Sequence, residues 1–274
     1  MEKRVIFSIP AALSFIFKKI KNRATLKTGS VGVGCTINKK VKAVVEKSEK
    51  FCVFLNGKEI SFPTVYDAVR SITNIPMTIY LTSSLPLGYG FGTSGASALA
   101  SVFAVNKLLN LTIQNKKLIE YAHISEIKNG TGLGTVGTVS TGGFLIKSSA
   151  GIPFDYHTLP FTGKKLYAVL IDRLPTSSII KNEQKLDKIE KAANISLEKI
   201  KNLKNVTLEE ILDISYEFVS ASSLISDTRV HDVIDKIRQR NGHATMAILG
   251  NVVITTQRPT FTVPYDIETL TITN

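Results

Sequence analysis

A stretch rich in glycine and small hydroxyl residues, residues 86–98, constrains this chain more than any other segment, because it lies between a predicted strand and a predicted helix. Residues 77–81 ahead of it alternate apolar and polar side chains, which is typical of a half-buried strand. Apolar residues recur after it at helical spacing, at Leu99, Val102, Phe103 and Leu109. The first turn of a helix carries unpaired N–H groups and partial positive charge, and glycine lets a phosphate approach that backbone closely. The segment therefore predicts a phosphate-binding loop at a helix N-terminus.

The loop matches neither of the two best-known phosphate-binding motifs. A Walker A loop ends in Gly-Lys-Ser/Thr, whereas no lysine lies between Pro86 and Ser101. A dinucleotide-binding fingerprint belongs at the first strand and is followed by an acidic ribose ligand, and neither condition holds here. A glycine-rich turn that only tightens the packing of strand against helix is the alternative explanation.

The loop resembles the second motif of the GHMP kinase superfamily, Pro-x-x-x-Gly-Leu-Gly-Ser-Ser-Ala. The matching residues are Pro86, Gly90, Phe91, Gly92, Thr93, Ser94, Gly95 and Ala96. The resemblance implies an α+β fold of two lobes, an N-terminal lobe like the second domain of ribosomal protein S5 and a ferredoxin-like C-terminal lobe, with the active site between them. It also implies that the loop binds ATP through Pro86, Gly88, Tyr89, Gly90, Phe91, Gly92, Thr93, Ser94, Gly95, Ala96 and Ser97.

Four further segments, spread over most of the chain, narrow the resemblance to the archaeal pantoate kinases. Residues 9–17 are similar to that family's Pro-Gly-His-Ile-Ser/Thr-Gly-Phe-Phe segment, and residues 26–34 to its Gly-Ser-Arg-Gly-Ala-Gly segment. Residues 122–134 resemble Ala-His-x-x-Glu followed by Gly-Thr-Gly-Leu-Gly-Asp, and residues 244–251 resemble Ser-x-Ala-Met-Leu-Gly-Asn. The resemblance implies a kinase that uses ATP and Mg²⁺ to convert pantoate to 4-phosphopantoate on an archaeal route to coenzyme A.

Three polar positions of the family pattern are lost in this chain. Ala11 and Ala12 stand where the family has Gly-His, Val31 stands for an arginine, and Thr135 stands for an aspartate. In many GHMP kinases that aspartate is the candidate base for the substrate hydroxyl, a role that threonine cannot fill near neutral pH. Catalysis without a base is one explanation, since phosphoryl transfer relies mainly on positioning and charge stabilisation. The alternatives are a kinase for homoserine, shikimate or mevalonate, and a catalytically impaired nucleotide-binding paralogue.

The resemblance assigns catalytic roles to Ser94, Glu126 and Thr135. Ser94 and Glu126 are the expected Mg²⁺ ligands, since a hard cation prefers oxygen. A helix cap is the alternative role for Ser94, and a solvated surface glutamate is the alternative for Glu126. Thr135 is expected to position the substrate rather than activate it.

The acceptor site is predicted from polar residues near these segments. Thr131, Gly132 and Gly134 are expected to form a turn whose amides stabilise charge beside the transferring phosphate. Because the expected arginine is Val31, the nearest polar candidates for the substrate are Ser14, Ser30 and Lys27. A lysine can bind a carboxylate as a point charge, without the bidentate geometry of an arginine.

Composition favours anionic partners. Lys and Arg number 34 against 22 Asp and Glu, giving a net charge of +12, which suits a nucleotide and a small anionic hydroxy acid. The basic clusters lack interleaved aromatic residues, so nucleic-acid binding is not expected.

No run approaches the roughly 20 apolar residues that span a bilayer, and Cys35 and Cys52 lack metal-ligand spacing. We expect a cytoplasmic protein, and family analogy adds a possible homodimer.

Periodicity predicts strands interleaved with helices in both halves of the chain. Strands are expected at residues 5–9, 31–37, 41–46, 51–56, 166–171, 246–255, 261–263 and 270–273, and helices at 65–73, 115–127 and 230–240. The six glycines of residues 130–143 predict turns, and Thr207 with Glu210 predicts a capping box. We expect an N-terminal lobe over residues 1–164 and a C-terminal lobe over residues 165–274.

Overall fold

A computed structural model describes residues 4–174 and 176–274. The strands are β1 (Val5–Ile20), β2 (Gly29–Lys47), β3 (Cys52–Leu55), β4 (Lys58–Glu59), β5 (Met77–Ser83), β6 (Phe144–Lys147), β7 (Tyr156–Leu159), β8 (Lys165–Asp172), β9 (Ala244–Met246), β10 (Asn251–Thr255) and β11 (Asp266–Thr273). The α-helices are α1 (Pro63–Arg70), α2 (Thr93–Leu109), α3 (Asn115–Asn129), α4 (Thr135–Thr141), α5 (Ser177–Ile180), α6 (Glu183–Lys201), α7 (Leu208–Ala221) and α8 (Thr228–Arg238). This arrangement confirms the predicted α+β class.

The strands form one continuous sheet in the order β4-β3-β5-β2-β11-β8-β10-β9, with β1 and β6 also paired to β2 and β7 paired to β6. The last strand joins the two halves of the chain: Ile272 of β11 pairs with Ile37 of β2, and Asp266 pairs with Leu170 of β8. The lobe boundary near residue 164 stays a prediction, since it falls at the start of a strand inside this sheet.

Helices cover the sheet and bury two apolar clusters. One cluster joins α1, α2 and α3 to the sheet through residues such as Val65, Leu99 and Leu118. The other joins α6, α7 and α8 to it through Ile189, Ile211 and Ile234, with Phe15, Phe144 and Phe218 among its largest fully buried side chains. Strand β1 contributes Ile9 and Ala12 to the first cluster and Leu13 and Phe15 to the second. The middle of β1 is therefore the seam between them.

Long strands replace several of the shorter predicted ones. β1 continues to Ile20 because register shifts after Pro10 and after Ser14 absorb the irregular positions. β2 is one strand, although its polar residues 38–40 suggested a break, because a register shift lets its pairing with β1 continue across them, from Ile37 with Ala11 to Lys40 with Pro10. The Asn38 side chain also accepts a hydrogen bond from the Thr271 amide at 2.9 Å.

Two other predictions are wrong. Residues 261–263 form no strand, and the predicted strand 246–255 is divided by a turn in which Leu249 has a φ of 64°. The six glycines of residues 130–143 predict turns, whereas residues 135–141 form helix α4. A side chain on Gly137 would lie 2.7 Å from the Phe154 ring, so tertiary packing explains that glycine. None of the described helices is long and apolar enough to cross a membrane.

Candidate functional site

The glycine-rich loop connects β5 to α2 and adopts backbone conformations that favour glycine. Gly88, Gly90 and Gly92 have φ values of 86°, 80° and 62°. Gly92 is the N-cap of α2, and the Ala96 amide is bonded to its carbonyl at 3.1 Å. The amides at the first positions of α2 point out of the helix without intrahelical partners. The local geometry therefore matches the predicted anion-binding loop.

The loop separates two chambers that meet at Gly90, Gly92, Thr131 and Thr176. The larger chamber runs between the loop and the ends of α1 and α3, and its lining residues are Ser61, Phe62, Pro63, Thr64, Leu87, Gly88, Gly90, Phe91, Gly92, Thr93, Ser94, Asn129, Gly130, Thr131 and Thr176. The smaller chamber is lined by Ala12, Ser14, Phe17, Ser30, Gly90, Gly92, Thr131, Gly132, Leu133, Gly134, Thr135, Lys147, Thr176, Ile248 and Leu249. Two ligands could therefore meet end to end beside the loop.

Two oxygen atoms at the junction are buried without hydrogen-bond partners among the described residues, Ser94 Oγ and Glu126 Oε1. Ser94 is the second residue of α2 and makes no capping bond, since Gly92 occupies the N-cap position. Glu126 is fully buried and so is not a solvated surface residue. Unpaired polar atoms are rare inside proteins and call for an unseen partner.

The Glu126 carboxylate is held against glycines from two sides. A side chain on Gly95 would lie 2.6 Å from Glu126 Oε1, and one on Gly132 would lie 3.1 Å from Glu126 Cγ. The Val136 amide donates a hydrogen bond of 3.3 Å to Oε2. Burial raises the pKa of Glu126 from 4.5 to about 7, and the hydrogen bonds from Val136 and Thr135 oppose that rise. A nearby cation would restore the charged form.

Both unpaired oxygens are donors of the kind that a hard cation prefers. No cluster of three or more His, Cys, Asp or Glu residues occurs in the part of the chain that the structure describes, so a site built from protein ligands alone is not found there. Mg²⁺ commonly takes one or two protein oxygens and completes its coordination with phosphates and water. Ser94 lines the larger chamber, and the Glu126 carboxylate lies against Gly95, the residue next to Ser94.

Thr135 begins α4 and lies across the N-terminus of α2. A side chain on Gly92 would contact Thr135 Cγ2, and one on Gly95 would lie 3.2 Å from Thr135 Cβ. Thr135 also helps to lower the pKa of the Glu126 carboxyl. Thr135 therefore lies beside the acidic group and lines the smaller chamber.

Lys147 is a charged residue of the smaller chamber that sequence reasoning missed. Its side chain is 8% exposed, Nζ donates to the Gly134 carbonyl at 3.1 Å, and the Phe154 ring centroid is 5.5 Å away. Burial lowers its pKa from 10.5 to about 8, while the charge of Glu126 opposes this. The available signal was a lysine ending the apolar strand Phe144–Lys147.

The predicted acceptor residues divide into those that line the smaller chamber and those that do not. Ser14, Ser30, Thr131 and Gly132 line it. Lys27 is exposed and is not among the described lining residues, because it is the last residue of a 3-10 helix at the surface. Lys147 supplies the positive charge expected from Lys27.

The predicted ATP-binding residues divide in the same way. Gly88, Gly90, Phe91, Gly92, Thr93 and Ser94 line the larger chamber. Pro86, Tyr89, Gly95, Ala96 and Ser97 are not among its described lining residues. Ala96 and Ser97 are both buried in the core, and the Ser97 hydroxyl donates to the Thr93 carbonyl at 2.7 Å. Residues 61–64 and Asn129 line this chamber without any sequence signal that we recognised.

Comparison with known proteins identifies relatives over nearly the full length. Residues 63–143 match the GHMP kinases N terminal domain. The pantoate kinase of Methanocaldococcus jannaschii is 31% identical over 251 residues, covering 89% of both chains, and that of Methanospirillum hungatei is 27% identical over 256 residues, covering 90% of this chain and 85% of its own. A solved structure described as a phosphotransferase related to the CoA biosynthesis pathway superposes with a TM-score of 0.82 at 19% identity, covering 99% of this chain and 96% of the other. The fold, the loop and these relatives together confirm the predicted family: this chain belongs to the GHMP kinases.

Proposed function

We propose that the protein transfers the γ-phosphoryl group of ATP to the primary hydroxyl of pantoate, giving 4-phosphopantoate and ADP. The observation that carries the proposal is the meeting of two chambers at a glycine loop beside the unpaired oxygens of Ser94 and Glu126. The full-length similarity to pantoate kinases supports the choice of acceptor.

The larger chamber is the proposed nucleotide site. The free amides of the first turn of α2 would bind phosphate oxygens, and the positive end of the helix favours their negative charge. Ser94 and Glu126 would hold Mg²⁺, which supplies charge neutralisation for the transferring phosphoryl group. The Glu126 side chain is kept in place by the Val136 amide and the packed glycines around it.

The smaller chamber is the proposed acceptor site. Lys147 is the one charged side chain among its described lining residues, and a buried ammonium favours a carboxylate strongly. Ser14 and Ser30 add hydroxyl groups for the alcohols of pantoate. An acceptor that carries an ammonium group, such as homoserine, would find no acidic side chain among the described lining residues.

Proton removal in this proposal needs no dedicated base. Thr135 lines the smaller chamber but cannot act as a general base, since a neutral hydroxyl is far too weakly basic near neutral pH. In a loose phosphoryl-transfer transition state, the bond from the attacking hydroxyl oxygen to phosphorus has formed only slightly. Removing the hydroxyl proton beforehand therefore gains little, and catalysis depends mainly on positioning and charge stabilisation. Thr135 would orient the hydroxyl, and the proton would leave to the transferred phosphoryl oxygens or to water.

The test is ADP release by the purified protein with ATP and Mg²⁺. Pantoate should support turnover, while homoserine, shikimate, mevalonate and pantothenate should each support far less. Omission of the alcohol measures the background hydrolysis of ATP. Faster turnover with another alcohol, or ATP binding without turnover on any of them, would overturn the proposed function.

Three wider expectations follow from this proposal or from family analogy. A pathway kinase of this kind would act in the cytoplasm, where its nucleotide is present. A homodimer remains a prediction from analogy with the family. The division into lobes at residue 164 also stays a proposal. In it, residues 1–164 and residues 165–274 form the two walls of the cleft that contains both chambers.

A further inference from the structure

The larger chamber contains no charged side chain among its described lining residues. A nucleoside triphosphate with one bound divalent cation still carries about two negative charges, and helix-terminal amides supply only partial charge. A cation approaching from outside the lining would therefore strengthen nucleotide binding. Lys181 is such a group: its Cε lies 2.9 Å, and its Nζ 3.7 Å, from where a side chain on Gly130 would begin.

Gly130 makes room for this approach. It is the C-cap of α3 with a φ of 63°, and it lies in the wall of the larger chamber next to Thr131. Any side chain there would displace the end of Lys181. The lysine stem therefore packs against Gly130, a residue of the chamber wall that adjoins Thr131.

The backbone before Lys181 is anchored. Lys19 Nζ donates to the Ile180 carbonyl at 2.8 Å, and the Ile179 and Ile180 amides bond to the Thr176 carbonyl at 3.1 Å each. Thr176 lines both chambers. The segment that carries Lys181 therefore belongs to the wall of the cleft, although the side chain itself is exposed.

The Lys181 ammonium is uncommitted among the described residues, since it has neither an ion pair nor a hydrogen bond there. It also precedes the N-terminus of α6, where a positive charge is unfavourable to the helix dipole. Its position does bring the charge close to the C-terminal ends of α3 and of the short helix α5, a weak benefit for an exposed charge. Structure alone gives little reason for a lysine at this position.

We propose that Lys181 binds the β- and γ-phosphates of the nucleotide from the C-terminal wall of the cleft. It acts as a positioning cation in addition to the amides of α2. This inference rests on the proposed nucleotide site, not on the identity of the acceptor.

The test is titration of the full-length protein with AMP-PNP, ADP and AMP in the presence of Mg²⁺ and without any acceptor. Lys181→Met should weaken AMP-PNP binding about 10-fold or more, the range of one charge-assisted hydrogen bond, and should change AMP affinity by less than about 2-fold. Lys181→Arg should retain most of the affinity. The control is Lys185→Met, which removes an exposed lysine from α6.

Two results would overturn the proposal. One is equal AMP-PNP affinity in Lys181→Met and Lys185→Met, and the other is an equal loss for AMP and AMP-PNP, which would indicate a change in chamber shape. The thermal unfolding midpoints of Lys181→Met and Lys185→Met are compared as well, since a purely structural effect at the end of α3 would lower the midpoint of Lys181→Met. The binding test contains no alcohol, so a failure of pantoate turnover would not affect its conclusion about Lys181. Conversely, equal AMP-PNP affinity in the two variants would not argue against the proposed function.

Discussion

Replacing Glu126 with glutamine should stabilise the nucleotide-free protein by an amount that grows with pH. The carboxyl is fully buried with Oε1 unpaired among the described residues, and burial raises its pKa from 4.5 to about 7. A carboxyl with a raised pKa holds its proton longer in the folded state. The folded state therefore loses stability as pH rises from the unfolded pKa through the folded one.

The size of the effect follows from the two pKa values. A rise from 4.5 to about 7 corresponds to roughly 3 kcal/mol of lost stability once the group is fully ionised. By proton linkage, roughly 1 kcal/mol of stability has been lost once the pH has risen to about 5, and nearly all of the remainder has been lost by about pH 8. Glutamine has a similar shape and no charge, so its advantage should grow by about 2 kcal/mol over this interval, after allowance for the attraction that Lys147 loses. The cost of burying the amide is the same at both pH values and cancels.

The measurement is urea unfolding of wild type and Glu126→Gln near pH 5 and near pH 8, without Mg²⁺ or nucleotide. Glu49→Gln is the matched control, since Glu49 is exposed and should show no such pH dependence. The stabilised variant should also lose phosphoryl transfer, because it lacks the proposed Mg²⁺ ligand. A stability difference that is the same at both pH values would refute the reasoning that this carboxyl is buried at an energetic cost.

Three further predictions concern the junction and its two chambers. Ser94→Ala should lower kcat about 100-fold or more, whereas Thr135→Ala should lower it less than about 10-fold because Thr135 only positions the hydroxyl; equal losses in steady-state kinetics would contradict the base-free mechanism. Lys147→Met should raise the KM for pantoate about 10-fold to 100-fold, and a matching rise in the KM for ATP would argue against a carboxylate partner. Gly90→Ala should lower the unfolding free energy more than Gly57→Ala, since both glycines have a φ near 80° but only Gly90 has backbone, the Ile248 carbonyl, 2.9 Å from the added carbon. Equal urea midpoints for the two alanine variants would show that this close contact is not rigid.

Local sequence was sufficient for the features that depend on neighbouring residues. The glycine loop, the start of α2 next to it and the capping box of Thr207 with Glu210 all appear where they were predicted. Each depends on backbone conformation or on hydrogen bonds within a few residues. The types of the residues involved are enough to predict such local features. The alternation and helical spacing of apolar residues likewise predicted most of the strands and helices, with errors in their ends.

Tertiary structure decided which distant residues share the cleft. Lys147 follows Lys27 by more than a hundred residues, and only the pairing of β6 with β2 brings its side chain beside Ser30 and the Gly134 carbonyl. The same folding leaves Lys27 on an exposed turn. Charge and spacing cannot distinguish two such lysines, because burial depends on what packs against each of them.

The sequence by itself thus predicted the phosphate loop and the α+β class, and it singled out Ser94 and Glu126 as proposed ligands through their place in motifs. The tertiary structure decided that both of their free oxygens are buried without partners among the described residues, and that Thr135 lies across the first turn of α2. The physical reason is the range of the interactions involved. Helix starts and glycine turns are set by local backbone energies, whereas desolvation and the meeting of two chambers arise only when segments far apart in the chain pack together.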